Sequence, residues 1–311
     1  MPRRLVLDTD MGSDADDALC LALALAAPEL ELAAVTCVGR ESRLRAQIAR
    51  RLLELAGHEH IPVYAGCRVP LLGGSGYNWF GHEGQGILEP GREPEIQPAH
   101  AADALLELSE REPGLEIAAV GPLTNLALAL AKDPDFAARV GRLTVMGGHL
   151  REVSYRGRVF PFGVDYNLCS DPHASLVVLR SGIPIRLVTA DVTLQTWLRD
   201  SDIRELEKSS SPLAAALARA VRLWTPVQRQ LLEPKGVPSD NAAFLHDPLT
   251  LACVYDESFC GFESLEIEPA ISDGVFRTLE RAEPGPATTP MRCATSVDAE
   301  RFRAHFLERV R

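Results

Sequence analysis

Five aspartates lie within ten residues near the start of the chain, in the stretch LDTDMGSDADDA that runs from Leu7 to Ala18. Crowded carboxylates repel one another, and burial raises the cost of ionising them. A bound cation relieves both penalties, and hard ions such as Ca²⁺ or Mg²⁺ prefer oxygen ligands. Asp8 and Asp10 follow an apolar run and therefore indicate a metal site, whereas Asp14 alone is more typical of an acidic helix start.

The elements that hold these aspartates follow from the hydrophobic pattern. Short apolar runs predict strands at residues 4–8, 30–38, 61–65, 116–120, 143–147 and 185–189. Longer periodic segments predict helices at residues 16–27, 41–56, 100–111, 123–131, 171–181 and 200–232. This alternation predicts an α/β fold with an open, mainly parallel sheet flanked by helices, and we expect residues 1–311 to form a single domain. Such sheets carry their sites at the carboxyl ends of strands, and the glycine- and aromatic-rich segment 73–86 is typical of a lid over such a site.

The composition excludes several classes of protein. At 311 residues, with 46% hydrophobic and 24% charged residues, the chain can build a large core. Its net charge of −11 argues against a nucleic acid polymer or an anionic membrane as partner, and the apolar run at residues 19–28 is too short to span a bilayer. The seven cysteines form no C-x-x-C pair, which suits a reducing compartment, and we expect a cytoplasmic protein without a signal peptide.

Two known aspartate motifs fit the stretch poorly. An EF-hand loop that began at Asp8 would need glycine and glutamate where Ser13 and Leu19 stand. A haloacid-dehalogenase-like phosphatase also opens with a strand and D-x-D, but that family expects threonine or valine where Gly12 stands. It also expects a lysine from a later motif, and none of the three lysines lies in a convincing version of it. The phosphatase is therefore kept only as the alternative.

Further motifs follow the aspartates in order, namely AAVGPLTNLALAL from Ala118, VMGGH from Val145, VDYNLCSDPHAS from Val164, ADVT from Ala190 and LHDPLTLA from Leu245. Together they resemble the signatures of the inosine–uridine-preferring nucleoside hydrolases, from residue 8 to about residue 252. The resemblance implies hydrolysis of the N-glycosidic bond of ribonucleosides, with one bound Ca²⁺ as cofactor. The DDA triplet aligns only if two extra residues follow Gly12, which leaves Asp14 without a counterpart in the family.

The resemblance implies roles for the residues of a metal site. Asp10, Asp17 and Asp247 would bind the ion through their carboxylates, and Thr124 would bind it through its backbone carbonyl. Asp10 would also take the proton of the attacking water. His246, beside a ligand, would protonate the leaving base or orient it.

The resemblance also implies contacts with the substrate. Asp16 resembles the residue that bonds the ribose 2′-hydroxyl, and Asn167 resembles the ribose-binding asparagine. Asp165 stands where glutamate is usual, so its side chain is one methylene shorter. His82, in the segment GHEGQG, resembles a base-side histidine, and an exposed flexible loop is the alternative reading of that segment.

Two arginines depart from the family pattern. Arg40 and Arg158 stand where the family has asparagines that touch the substrate, and His149 replaces a small residue after MGG. Arginine binds phosphate and carboxylate in a bidentate manner. We therefore predict that Arg40 and Arg158 contact the substrate and that the substrate carries an anionic group, such as a 5′-phosphate or a carboxylate on a modified base. The alternative is that the calcium carboxylates simply hold one of these arginines.

A second class of function is a ribosyl-binding protein of the same fold that does not turn its ligand over. The retained Asp10, Asn167 and His246 argue against it. Release of free base from a panel of nucleosides distinguishes the two classes. We expect a small ribonucleoside-like substrate as partner and, because relatives are commonly dimers or tetramers, a homodimer or homotetramer.

Overall fold

The fold is known from a computed structural model that describes residues 2–12, 14–74, 77–155, 158–160, 165–232 and 236–311. Its strands are β1 (Arg3–Thr9), β2 (Leu30–Cys37), β3 (Val63–Ala65), β4 (Leu115–Ala119), β5 (Val140–Met146), β6 (Val153–Tyr155), β7 (Arg158–Phe160), β8 (Ile185–Val188), β9 (Trp197–Arg199), β10 (Asn241–Phe244), β11 (Cys260–Ser272), β12 (Val275–Arg281) and β13 (Thr289–Val297). Its helices are α1 (Asp16–Ala26), α2 (Ser42–Leu55), α3 (Ala101–Arg111), α4 (Thr124–Lys132), α5 (Phe136–Arg139), α6 (Tyr166–Ser170), α7 (Pro172–Leu179), α8 (Ala190–Thr193), α9 (Asp200–Leu206), α10 (Pro212–Leu232), α11 (His246–Tyr255) and α12 (Ala299–Val310).

A central sheet organises these elements, with the strand order β12-β11-β13-β8-β5-β4-β1-β2-β3. The pairings from β13 across to β3 are parallel. At the other edge, β11 pairs antiparallel with both β13 and β12. The predicted mainly parallel α/β sheet is confirmed, and it carries an antiparallel extension that the sequence pattern did not predict.

The strand β1 shows why the aspartates lie where they do. Successive side chains of a strand point to opposite faces of the sheet. Leu5 and Leu7 join the core on one face, whereas Val6 joins the core on the other, and all three are fully buried. Because helices cover both faces of this strand, its central residues are apolar on both faces, and the buried Asp8 and Thr9 at its end form hydrogen bonds. Asp10 follows the end of the strand, at the carboxyl edge of the sheet.

The structure corrects one predicted helix. Residues 200–232 form two helices, α9 and α10, rather than a single one. The hydroxyl of Ser211 accepts a hydrogen bond from the backbone N–H of Ala214 (3.3 Å), and Pro212 is the first residue of α10. A serine followed by proline at the first position begins a helix, and proline cannot continue the hydrogen bonding of a preceding one.

The predicted lid lies between β3 and α3. Its described residues form turns and loops without a regular element, and residues 75 and 76 lie outside the described ranges. Gly81, Gly84 and Gly86 all have positive φ angles, which favour glycine and explain the composition of this segment. Within the described ranges, no helix has both the length and the apolar character that crossing a membrane requires.

Candidate active site

The first part of the site is the turn between β1 and α1. Asp10 follows the last residue of β1, and Asp16 and Asp17 occupy the first turn of α1. The hydroxyl of Thr9 donates to the Asp17 carboxylate and accepts a hydrogen bond from the backbone N–H of Met11 (3.2 Å). Because carboxylates are favoured at the positive end of a helix dipole, this local sequence places two of them at the helix N-terminus.

A further carboxylate reaches the same place from far along the chain. Asp247 lies in the first turn of α11, which packs against α1. One carboxylate oxygen from each of Asp16, Asp17 and Asp247 lies within 4.8 Å of the others, and all three residues are buried. Burial first, and then repulsion by neighbouring aspartates, raises the pKa of each carboxyl well above its usual value. A cation would remove this cost, so the donor set fits a hard metal ion.

Asp10 approaches the cluster from the end of β1. Burial raises its pKa, and the positive charge of Arg45 opposes that rise. A Cβ atom at Gly121 would lie 2.8 Å from both the backbone nitrogen and Oδ1 of Asp10. The VGPLTN motif therefore needs glycine at this position, because any side chain would displace the Asp10 carboxylate.

Asp8 and Asn125 form a buried network beneath the site. Asp8 Oδ1 accepts hydrogen bonds from Thr36 Oγ1 (2.6 Å) and Asn125 Nδ2 (2.8 Å), while Asn125 Oδ1 accepts one from the backbone of Cys67 (2.9 Å). Burial raises the pKa of Asp8 to about 7. Asp8 thus joins β1, β2 and α4 below the site, and it is not among the described residues that line the cavity.

Thr124 opens α4 and is also buried. Its hydroxyl donates to Asp171 Oδ2 (2.8 Å), so the Tyr77 hydroxyl 2.5 Å away is the donor in their mutual hydrogen bond. This chain of bonds connects the lid segment to α4 and α7. The side chain of Thr124 is thereby committed to structural contacts, and the role predicted for its backbone carbonyl stays a prediction.

A cavity of about 580 Å³ opens beside the carboxylates. The predicted site residues that line it are Asp10, Asp16, Asp17, Asp165, Asn167, His246 and Asp247. Asp14 and His149 line it as well. Further lining residues include Arg45, Asn78, Phe80, Tyr166, Trp224 and Gln228.

One wall of the cavity comes from the start of α6. Asp165 caps this helix by accepting a hydrogen bond from the backbone of Leu168 (2.9 Å), and burial raises the pKa of Asp165 to about 6. Asn167 Nδ2 donates to the carbonyls of Val120 (2.8 Å) and Met146 (3.2 Å), just beyond β4 and at the end of β5. The ends of two strands therefore fix the orientation of the Asn167 amide.

His246 stands next to Asp247 at the start of α11. Its ring stacks on Phe244, with the ring centroids 4.9 Å apart, and its Nδ1 lies 2.6 Å from Thr193 Oγ1. Burial lowers the pKa of His246 to about 4, which favours a neutral imidazole at pH 7. A neutral imidazole carries one N–H group and can use it to donate a hydrogen bond.

Aromatic side chains also line the cavity. Phe80 meets Trp224 edge to face at 5.6 Å, and the His82 ring stacks on Trp224 at 6.0 Å. Phe80 and Trp224 line the cavity directly, whereas His82 is not among the described lining residues. Glu83 holds this turn of the lid because its carboxylate accepts hydrogen bonds from the backbone of Phe80 (3.2 Å) and Gly81 (2.9 Å). The base-side role of His82 stays a prediction.

Of the two arginines singled out by the sequence, only Arg40 has its side chain in the described part of the chain. Arg40 is exposed, its backbone carbonyl accepts a hydrogen bond from Arg68 (3.3 Å), and it is not among the described residues that line the cavity. The backbone of Arg158 belongs to β7, but its side chain lies outside the described part of the chain, as do Gly157 and Val164. Among the described residues, Arg45, which no sequence motif indicated, is the one arginine that lines the cavity.

Comparison with known proteins shows a match over almost the whole chain. Residues 5–304 match the sequence model of the family described as inosine-uridine preferring nucleoside hydrolase. The chain is 33% identical over 260 residues to the pyrimidine-specific ribonucleoside hydrolase RihA of Photobacterium profundum, covering 81% of this chain and 79% of that one. It is 34% identical over 263 residues to uridine nucleosidase 1 of Arabidopsis thaliana, covering 81% and 73% of the two chains.

Solved structures give the same result at the level of the fold. The plant nucleoside hydrolase PpNRh1 superposes with a TM-score of 0.86 at 28% identity, over 100% of this chain and 99% of that one. The purine-preferring ribonucleoside hydrolase from Gardnerella vaginalis gives a TM-score of 0.83 at 25% identity, over 99% and 98% of the two chains. These matches do not favour the phosphatase alternative.

Proposed function

Because the chain belongs to the inosine-uridine preferring nucleoside hydrolase family and is therefore an N-ribosyl hydrolase, we propose that it cleaves pyrimidine ribonucleosides in a Ca²⁺-dependent reaction. The observation that carries this proposal is the buried group of Asp16, Asp17 and Asp247 at one wall of the cavity. Among its relatives, the pyrimidine-specific hydrolase and the uridine nucleosidase support a substrate such as uridine.

Asp10, Asp17, Asp247 and the Thr124 carbonyl are the proposed ligands of the ion. When bound, Ca²⁺ would supply Lewis acidity for the attacking water and additional coordination for the ribose hydroxyls. Calcium accepts six to eight oxygen ligands, so Asp16 can either join the shell or bond the ribose 2′-hydroxyl beside it. Its place in the buried carboxylate group supports both uses.

Different side chains of the cavity have the remaining roles in binding and catalysis. Asp10 takes a proton from the attacking water as the bond between C1′ and the base nitrogen breaks and the electron pair moves to the base. Asp165 and Asn167 bind the ribose, the latter with an amide already fixed by two carbonyls. Phe80 and Trp224 offer apolar surface to the planar base.

The described residues that line the cavity extend from Asp10 to Asp247, and the later strands β11 to β13 belong to the same central sheet as β1. For this reason we propose that residues 1–311 act as one domain. The expected cytoplasmic location and the homodimer or homotetramer stay predictions, and so does the anionic substrate proposed for Arg40 and Arg158.

A substrate screen tests the proposed function. The purified protein is incubated with uridine, cytidine, inosine, adenosine and uridine 5′-monophosphate, and released reducing sugar is measured. We expect uridine to give the highest kcat/KM, with free uracil as the second product by chromatography. Turnover of none of the nucleosides would contradict the function, and a preference of more than about tenfold for the monophosphate would support the anionic alternative.

His246 is expected to act on the leaving base. Replacing it by alanine should lower kcat for uridine by about 10²-fold, the usual size of a lost proton donor. The same change should lower kcat by less than about threefold for 4-nitrophenyl riboside, whose leaving group departs without help. His173, an exposed histidine of α7, provides the matched control, since its replacement by alanine should alter neither rate. Equal losses on both substrates in the His246 variant would refute a role at the base.

A further inference from the structure

Arg45 is a buried cation that the proposed function does not use. It lies on α2 with only 3% of its surface exposed, and it is among the residues that line the cavity. Nη1 donates to the backbone carbonyl of Asp10 and to that of Met11 (3.2 Å). Nε is buried and has no acceptor among the residues that the structure describes. The Nε atom of Arg50 on the same helix is buried without an acceptor in the same way, so Arg45 is set apart by its place at the cavity rather than by this atom.

Two glycines make room for the guanidinium. A Cβ atom at Gly12 would lie 2.3 Å from Arg45 Nη1, and one at Gly39 would lie 3.2 Å from Nε. Gly39 also has a φ of +100°, a conformation that other residues rarely adopt. The turns after β1 and β2 are therefore both shaped around this one side chain, which defines its position at the cavity wall.

The lid segment fixes the position of Arg45 further. The guanidinium carbon lies 5.9 Å from the centre of the Trp79 ring, within the range of a cation–π contact. The next residue, Phe80, meets Trp224 at the wall proposed for the base. Arg45 therefore contacts the backbone of the Asp10 turn and the lid residue Trp79, whose neighbour Phe80 lines the same cavity.

The charged residues around Arg45 determine which kind of ligand group can bind to it. Asp10, Asp14, Asp16 and Asp17 line the same cavity as Arg45, so a dianion would meet strong repulsion there. An uncharged oxygen escapes that repulsion in the ground state. It binds a guanidinium more strongly once it gains negative charge, which happens to the carbonyl beside the glycosidic nitrogen when the electron pair moves to the base.

On the basis of the proposed function, we propose that Arg45 is a catalytic residue that donates to the 2-carbonyl oxygen of a departing pyrimidine. The bond between C1′ and N1 breaks, the electron pair moves onto the uracil ring and its 2-oxygen, and the guanidinium stabilises that charge without losing a proton. The ribose carbon takes the water oxygen, and Asp10 takes the water proton. Arg45 thereby favours pyrimidine nucleosides, because a purine has a ring nitrogen and no carbonyl at the corresponding position.

The test compares uridine with 2-thiouridine, in which sulfur replaces the proposed acceptor with a much weaker one. In Arg45→Met, kcat for uridine should fall by about 10²-fold or more while KM changes by less than about threefold. The ratio of kcat/KM for uridine to that for 2-thiouridine should fall at least about tenfold relative to the parent. Arg45→Lys keeps the charge but not the planar group of donors, and it should recover only part of the loss.

Arg50 on the same helix is the matched control. It too is a buried arginine that donates to backbone carbonyls, those of Glu59 (2.8 Å) and Ile61 (2.7 Å), but it is not among the described residues that line the cavity. Arg50→Met should lower the thermal midpoint without changing the substrate ratio. Calcium affinity, measured by calorimetry in each variant, separates damage to the metal loop from loss of the contact with the base.

Three outcomes would overturn the proposal. The first is an unchanged ratio in Arg45→Met together with equal losses on uridine, 2-thiouridine and 4-nitrophenyl riboside. The second is weakened Ca²⁺ binding that accounts for the whole loss, which would make Arg45 a positioning residue for the Asp10 turn. The third is a preference for uridine 5′-monophosphate that disappears in the variant. The proposed function fails separately, if the parent protein hydrolyses no nucleoside.

Discussion

Replacing Asp10 by asparagine lowers kcat/KM for every substrate by about 10²–10⁴-fold, the usual contribution of a general base. Asparagine keeps the size of the side chain and one oxygen ligand but cannot accept the proton of the water. The loss should be the same for uridine, for inosine and for 4-nitrophenyl riboside, because the water attacks all three. Steady-state kinetics on these substrates measures it, and activity within tenfold of the parent would refute the role of Asp10.

The control for Asp10 is another carboxylate of the same cavity. Asp14 lines the cavity but has no proposed role, and Asp14→Asn removes a charge without removing the base. Its loss of activity should be at least about tenfold smaller than that of the Asp10 variant. Without Ca²⁺, both variants should unfold at temperatures no lower than the parent, because each relieves repulsion inside a buried acidic group. A lowered thermal midpoint in Asp10→Asn alone would mean that the kinetic loss reflects damage to the fold.

Removing the ion should lower activity nearly as much as replacing Asp10. We expect prolonged dialysis against a calcium chelator to lower kcat at least about 10²-fold, because three buried carboxylates then lose their counter-charge and the water loses its Lewis acid. Added Ca²⁺ should restore the rate, and Mg²⁺ should restore less, because it demands a smaller octahedral shell. Thermal unfolding should show the same linkage, with a midpoint raised by about 2–4 °C at an ion concentration 100 times the Kd.

Asp247→Asn provides the control for the ion. It should weaken Ca²⁺ binding in calorimetry and require more added Ca²⁺ for half-maximal rate, while leaving the fold intact. Elemental analysis of protein purified without chelator should find about one calcium per chain. Absence of calcium in that analysis, combined with full activity in chelator, would rule out the proposed cofactor.

The sequence predicted the parts of the site that local chemistry determines. Crowded aspartates after an apolar strand indicated a metal site, and the family resemblance added Asp247. Asp16, Asp17 and Asp247 converge in the structure, whereas Asp10, a predicted ligand, is not in that group, and Asp16, predicted to bind ribose, is. Local sequence chemistry could not predict the turn geometry at Gly12 and Gly39. It also could not predict which arginine of α2 would line the cavity. Arg45 is distinguished from Arg50 only by which backbone carbonyls lie opposite each, and those contacts arise when distant segments pack.

The parts of the fold that the sequence did not predict also lack a clear local pattern. The strands β11 to β13 carry polar residues on an exposed face, so they lack the continuous apolar runs that identified the parallel strands. The break before α10 was readable from Ser211 and Pro212, whereas the periodicity on both sides of it suggested one helix. The contacts of the lid, such as Glu83 with the backbone of Gly81, connect residues in turns without any periodic pattern.

The position of β1 in the sheet has a consequence for how the protein is made. Its neighbours are β2, which follows at once, and β4, which begins at Leu115, whereas α11, which packs against α1, begins only at His246. During translation the acidic turn after β1 is synthesised more than two hundred residues before its last carboxylate partner, Asp247. Folding must therefore close a long-range contact before the ion has its complete set of ligands, and contacts of this kind form slowly. When calcium is added to refolding protein, its binding would then report the final stage of folding. A partial chain that ends before α11 lacks Asp247 and so lacks the complete site.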